Sequence, residues 1–150
     1  RVARAESSKA DCFYKAAIAG DGNPHVVGGD LDTLMAGLAC GEANTIAYDI
    51  LRDYTSAFVS CPDYVAAHGM RMLGNSLAGD PHITSGESGA VSAGLLAFAM
   101  RGRKMGALRD ALGLNENSTV LLFSTEGDTD PEKYRSVVWD GEYPTVGLLG

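Results

Sequence analysis

The 150-residue chain reads as an α/β protein with a mainly parallel sheet, and three observations carry that reading. Short apolar runs that suit strands alternate with stretches whose apolar residues recur at helical spacing. One run, Val120 to Phe123, does not alternate and reads as a strand buried on both faces. It ends in the polar turn S-T-E-G-D-T-D at 124–130, where Asp130 followed by Pro131 reads as the cap and first residue of a helix. Such a turn, outside the carboxyl end of a buried strand, is where open α/β folds bind small ligands. An ordinary surface loop is the alternative.

Taken in order, Val2 to Ala5 is a weak strand candidate, and the small, polar, glycine-rich stretch from Ala10 to Gly29 suits a short helix with loops. Leu31, Leu34, Met35 and Leu38 follow Asp30 at helical spacing, so a helix is expected over 30–40, broken by Gly41. A second helix is expected over 45–54 on Ile46, Ile50 and Leu51, then a short strand at 57–60. Pro62 opens a helix that runs through Val65, Ala66 and Met70. The stretch 85–100 begins S-G-E-S-G and continues apolar all round, the mark of a buried helix. A shorter amphipathic helix at 104–112 faces Met105, Leu108 and Leu112 inward. After the strand, 131–139 presents Tyr134, Val137 and Val138, and the tail from Asp140 to Gly150 reads as loosely structured. Trp139 is expected in the core. The length suits one domain, and nothing resembles a repeat or an interdomain linker.

The formal charge is −7 with a pI near 4.8, and Arg101, Arg103 and Lys104 are the only basic cluster, placed between two helices. Nucleic acid is therefore not an expected partner. No apolar run has the roughly 18 residues of a membrane span, and residues at the N-terminus of this sequence lack a secretory apolar core, so a cytoplasmic protein is expected. Cys12, Cys40 and Cys61 contain no C-x-x-C; Cys61 suits a core or strand-end position, and pairing of Cys12 with Cys40 stays open. His25, His68 and His82 lack metal-ligand spacing and read as surface or loop residues.

Two constellations could carry chemistry. Gly86-Glu87-Ser88-Gly89 approaches the G-x-S-x-G nucleophile elbow, but its glycine is one position out and no histidine follows His82. It could instead hold an anionic group at a helix N-terminus, or be a glycine turn needed for tight packing. Glu126, Asp128 and Asp130 could in principle gather a hard cation, though they lack a calcium loop's length; a solvated turn and helix cap is the better reading, and no metal is expected.

Together the segments resemble the fold-type II pyridoxal-phosphate enzymes, the group of threonine dehydratase, serine racemase and tryptophan synthase β. D-T-L-M-A-G-L-A at 32–39 is similar to the dehydratase T-I-A-D-G-L-A, with Ala36 where those enzymes carry aspartate. V-S-C-P-D at 59–63 resembles V-S-D-E-E, and F-S-T-E-G-D-T-D at 123–130 resembles the L-S-G-R-G-D-K-D of the tryptophan synthase β group. Within the group, G-D-L-D-T-L-M-A-G-L-A-C-G-E at 29–42, S-G-E-S-G-A-V at 85–91 and L-L-F-S-T-E-G-D-T-D-P-E at 121–132 most resemble the diaminopropionate ammonia-lyase family.

The resemblance implies a three-layer fold with helices on both faces of the sheet, and a chain corresponding to the C-terminal part of the large cofactor domain. It implies pyridoxal 5'-phosphate as cofactor, a small amino acid as substrate, and α,β-elimination of 2,3-diaminopropionate to pyruvate and ammonia. Ser124 would hydrogen-bond the pyridine nitrogen, Glu87 would lie near the same edge, and Gly37 would bring backbone close to the phenolic side. The full-length enzyme would be a homodimer. Lys9, Lys15, Lys104 and Lys133 are the only lysines, and none has the family's S-x-K-type context. The glycine-rich phosphate cradle is missing as well. No catalytic residue is therefore expected in the chain, which should be inactive alone. A serine or threonine dehydratase, or a non-catalytic binding module, are the rival readings.

Overall fold

The computed structural model describes residues 1–145. Strands β1 (Ala3–Ser7) and β2 (Ala57–Cys61) pair in parallel, with Ala3 opposite Ala57 and Ser7 opposite Cys61. Parallel pairing needs a crossover, and helices α1 (Cys12–Ala19) and α2 (Thr45–Tyr54) lie between the two strands in the chain. Strand alternation divides the packing. Ala5, Val59 and Cys61 join the larger core with α3 (Asp63–Gly74), α4 (Glu87–Arg101) and α6 (Pro131–Val138). Phe58 turns the other way, onto Phe13 of α1 and Tyr48 of α2. The expected three layers are present, around a sheet with two strands among the described residues.

Helices α3 and α4 share the most extensive contact in the fold. They approach so closely that a methyl on Gly69 would overlap the Ala90 carbonyl, and one on Gly94 would overlap the Val65 carbonyl. Around this contact Met70, Ala66 and Ala90 are fully enclosed, and Phe98 meets the rings of Tyr64 and His68 at 5.9 Å and 5.1 Å. The short helix α5 (Gly106–Leu112) returns along α4, held by Arg109, which donates to the carbonyls of Ala99 and Gly102. Arg71 of α3 donates to the carbonyls of Val137, Glu142 and Tyr143, so residues 142–143 of the expected loose tail are tied to the core. The rest of that tail, 146–150, lies outside the described residues.

Five expectations are corrected. The strand expected at 120–123 is not one: the run is irregular, and Leu121 and Phe123 are 77 % and 73 % exposed. A strand buried on both faces needs hydrogen-bonding neighbours, and among the described residues β1 and β2 pair only with each other. The helix expected over 30–40 shrinks to a 3-10 turn at Ala36–Leu38. Leu31 has a left-handed backbone, and the Thr33 hydroxyl donates to Asp63 while accepting from Ser7 Oγ and the Met35 N–H, so side chains take the bonds a helix would make. Leu34 and Met35 are still buried. Trp139, expected in the core, is 77 % exposed just past the end of α6. His68, expected at the surface, is half-buried with its Nε2 unpartnered. In α2 the helix is where it was expected, but Tyr48 is the buried residue, while Ile46 and Ile50 face outward.

Two outcomes follow. Gly94→Ala should lower unfolding free energy by about 3 kcal/mol, because two backbones rather than flexible side chains must move apart; urea denaturation measures it. Burial, reinforced by the charges of Arg71 and Arg101, holds the His68 imidazole below its ordinary range. The unfolded chain then takes up this proton at higher pH than the folded one. This contribution to stability is complete above about pH 6.5 and lost as pH falls through the folded value. Melting curves between about pH 7.5 and 5 should show that loss, and His68→Leu should reduce it.

Candidate functional site around the start of helix α4

Helix α4 starts inside the protein. Ser85 is fully buried and Gly86, at the cap position, has no side chain with which to bind the free N–H groups of the first turn. The turn at 124–130 does so instead. The Glu126 carbonyl accepts the Gly86 N–H at 3.0 Å, and its carboxylate Oε1 accepts the Ser88 N–H at 3.0 Å. Glu126 is thus the anion at this helix end, a better use of its charge than the solvated turn expected for it. It also takes the place of an external anion at the Ser88 N–H. Asp130 is spent similarly, accepting from the Lys133 N–H at the start of α6.

The glycines of S-G-E-S-G serve close approach. A Cβ on Gly86 would stand 2.6 Å from the Gly127 carbonyl oxygen, and one on Gly89 would stand 3.1 Å from Ser124 Cα. Chain 124–127 therefore lies directly on the first turn of α4, and Ser124 Oγ donates to Ser85 Oγ at 2.9 Å. From the other side, the Gly37 N–H donates to Ser88 Oγ at 3.1 Å, and a Cβ on Gly37 would stand 2.8 Å from that hydroxyl. Ser88 is engaged by Gly37 and Glu126, with no histidine in its hydrogen bonds, which removes the basis for the nucleophile-elbow reading.

The three residues singled out by sequence, Gly37, Glu87 and Ser124, thus gather at one helix start from segments far apart in the chain. Ser124 is exposed. Glu87 is half-buried, and burial pushes its carboxyl up, with Glu126 and Asp130 adding to the rise and Lys133 opposing it. Lys133 is itself paired with Glu142 at 3.1 Å, and Lys9, Lys15 and Lys104 are exposed. A cleft of about 890 Å³ runs beside this point, between β1 and 118–123, with Leu38, Ser88, Gly89 and Leu95 in its wall. Ser85 and Glu126 are the residues that sequence reasoning undervalued; the legible signal was a buried helix start with a glycine at its cap.

Over 138 residues the chain is 51% identical to diaminopropionate ammonia-lyase of Escherichia coli (strain K12). This chain is homologous to diaminopropionate ammonia-lyase. The alignment takes in 92% of the chain and 34% of that enzyme. The diaminopropionate ammonia-lyase of Salmonella typhimurium (strain LT2) is 47% identical over 137 residues, again 34% of its length. The chain spans about a third of the length of the curated relatives it matches. The crystal structure of the Escherichia coli lyase in complex with an aminoacrylate-PLP azomethine reaction intermediate covers 95% of the chain with a TM-score of 0.81 at 47% identity. The same enzyme in complex with D-serine covers 94% with a TM-score of 0.83. Each match takes in about a third of the solved chain. No protein-family model matches the chain.

Removing the carboxylate of Glu126 should destabilise α4. Glu126→Ala is expected to cost about 1 kcal/mol, the usual worth of a helix cap, while Glu126→Gln keeps an acceptor oxygen and recovers most of it; thermal unfolding of the three proteins distinguishes them.

Proposed function

We propose that the chain is the C-terminal portion of the large domain of a fold-type II diaminopropionate ammonia-lyase, and that it forms one wall of a pyridoxal 5'-phosphate site. The observation that carries this reading is the fit of nearly the whole chain to a lyase whose solved structure holds that cofactor. The enzyme would convert 2,3-diaminopropionate to pyruvate and ammonia, as a cytoplasmic homodimer.

The residues in place suit one edge of the cofactor ring. Ser124 offers an exposed hydroxyl backed by a buried one, a neutral partner for a pyridine nitrogen. A hydroxyl is too weak an acid to protonate that nitrogen, which favours elimination over more extended delocalisation of charge. Glu87, its carboxyl pushed up by burial, would lie near the same edge. Gly37, fastened to Ser88, would keep backbone rather than side chain toward the phenolic side. When bound, pyridoxal phosphate supplies the electron sink for the charge left at the substrate Cα. The Schiff-base lysine and the phosphate cradle would come from outside this chain, since its lysines are exposed or paired.

The solved relative's complex with D-serine keeps a serine-type dehydratase as a second reading. Both are tested by supplying the full-length enzyme with pyridoxal phosphate and either 2,3-diaminopropionate or serine, and following pyruvate with a coupled dehydrogenase. Faster turnover of diaminopropionate supports the lyase; pyruvate from serine alone supports the dehydratase. The 150-residue chain by itself should form no pyruvate, and lyase-like turnover by it would overturn the assignment. Ser124→Ala should lower kcat/KM by roughly tenfold, about the worth of one hydrogen bond.

A further inference from the structure

The Ser124 hydroxyl does not stand alone, and its partner is unusual. Ser85 is completely buried, so its hydroxyl proton must find an acceptor inside the protein. As arranged here Ser124 Oγ donates to Ser85 Oγ at 2.9 Å, which leaves the Ser85 proton to the carbonyl of the adjacent Gly86 at 3.2 Å. That second bond is long for an O–H donor. The pair has another arrangement of the same heavy atoms. If Ser85 donates across the same 2.9 Å contact to Ser124, the poor bond to Gly86 is given up and the Ser124 proton is free to point outward. Among the described residues its only other acceptor is the Glu126 carbonyl at 3.4 Å. Gly89 keeps the pair compact, since a Cβ there would press on Ser85 Oγ at 3.0 Å and on Ser124 Cα.

We propose that Ser85 is a positioning residue that donates its proton to Ser124, so that Ser124 presents its own proton to an unprotonated ring nitrogen. This rests on the cofactor reading above. The ligand is an atom that accepts and does not donate; a protonated nitrogen would need the opposite direction of the pair, with Ser85 accepting from Ser124. The two hydroxyls then act as one unit, and losing either should have nearly the effect of losing both.

The test is a double-mutant cycle in the full-length holoenzyme with Ser85→Ala, Ser124→Ala and the pair together. Two quantities are read: the Kd for pyridoxal phosphate, by titration of the apoprotein, and the absorption band of the bound cofactor as a function of pH. Each single change should weaken cofactor binding roughly three- to tenfold and shift the band in the same direction, and the double variant should be no worse than the poorer single. Ser85→Cys, close in volume but a weaker donor, should fall between wild type and Ser85→Ala, and it carries the test if Ser85→Ala does not fold. A Ser85 variant with the wild-type band and Kd, or effects that multiply independently, would overturn the positioning role while leaving the cofactor site intact. An unsubstituted enzyme with no cofactor band would overturn both.

Discussion

The close approach of α3 and α4 is the constraint on which the other features depend. With glycine at 69 and 94, each helix meets the other's backbone, and α4 becomes a central helix buried on most of its circumference. A helix so placed cannot turn its first N–H groups to water. They must be satisfied from within, or each costs the free energy of an unmade hydrogen bond. Glu126 meets that need with both its carbonyl and its carboxylate, and in doing so draws the 124–130 turn onto the helix.

The candidate site is a by-product of this cap. Once Glu126 is held, Ser124 two residues earlier can reach Ser85, and the glycines at 86 and 89 let the two chains touch. Gly37 arrives independently, on a 3-10 turn fastened through Ser88. Three chain segments therefore converge on one helix start with hydroxyls, a carboxyl of raised affinity for protons, and backbone N–H groups. In the proposed reading that set would recognise a polar aromatic ring edge. The cleft between β1 and 118–123 lies beside it, walled by apolar side chains of α4.

Much of this was legible in the sequence. The helices at 45–54, 63–74, 87–101 and 131–138 were expected from helical apolar spacing, an all-apolar run, Pro62 and the Asp130-Pro131 start, signals that act locally. The parallel strands at 3–7 and 57–61 were short but recognisable. Gly37, Glu87 and Ser124 were named from motif resemblance, and the fold brings their segments together.

What failed to be legible depended on partners remote in the chain. The run at 120–123 has a strand's composition, yet a strand exists only where another offers its hydrogen bonds, and no periodicity reports that. The stretch at 30–40 has a helix's spacing, but Thr33 and Asp63 bind each other across thirty residues and hold it otherwise. Trp139 is exposed because the burying face of α6 is spent on Val137 and Val138. The sequence by itself determined most of the helices, the class and the family resemblance, because caps, spacing and motifs are short-range. Only the tertiary structure decided that Ser85 stands behind Ser124 and that Glu126 closes α4, because those contacts span thirty-eight or more residues and arise from packing alone.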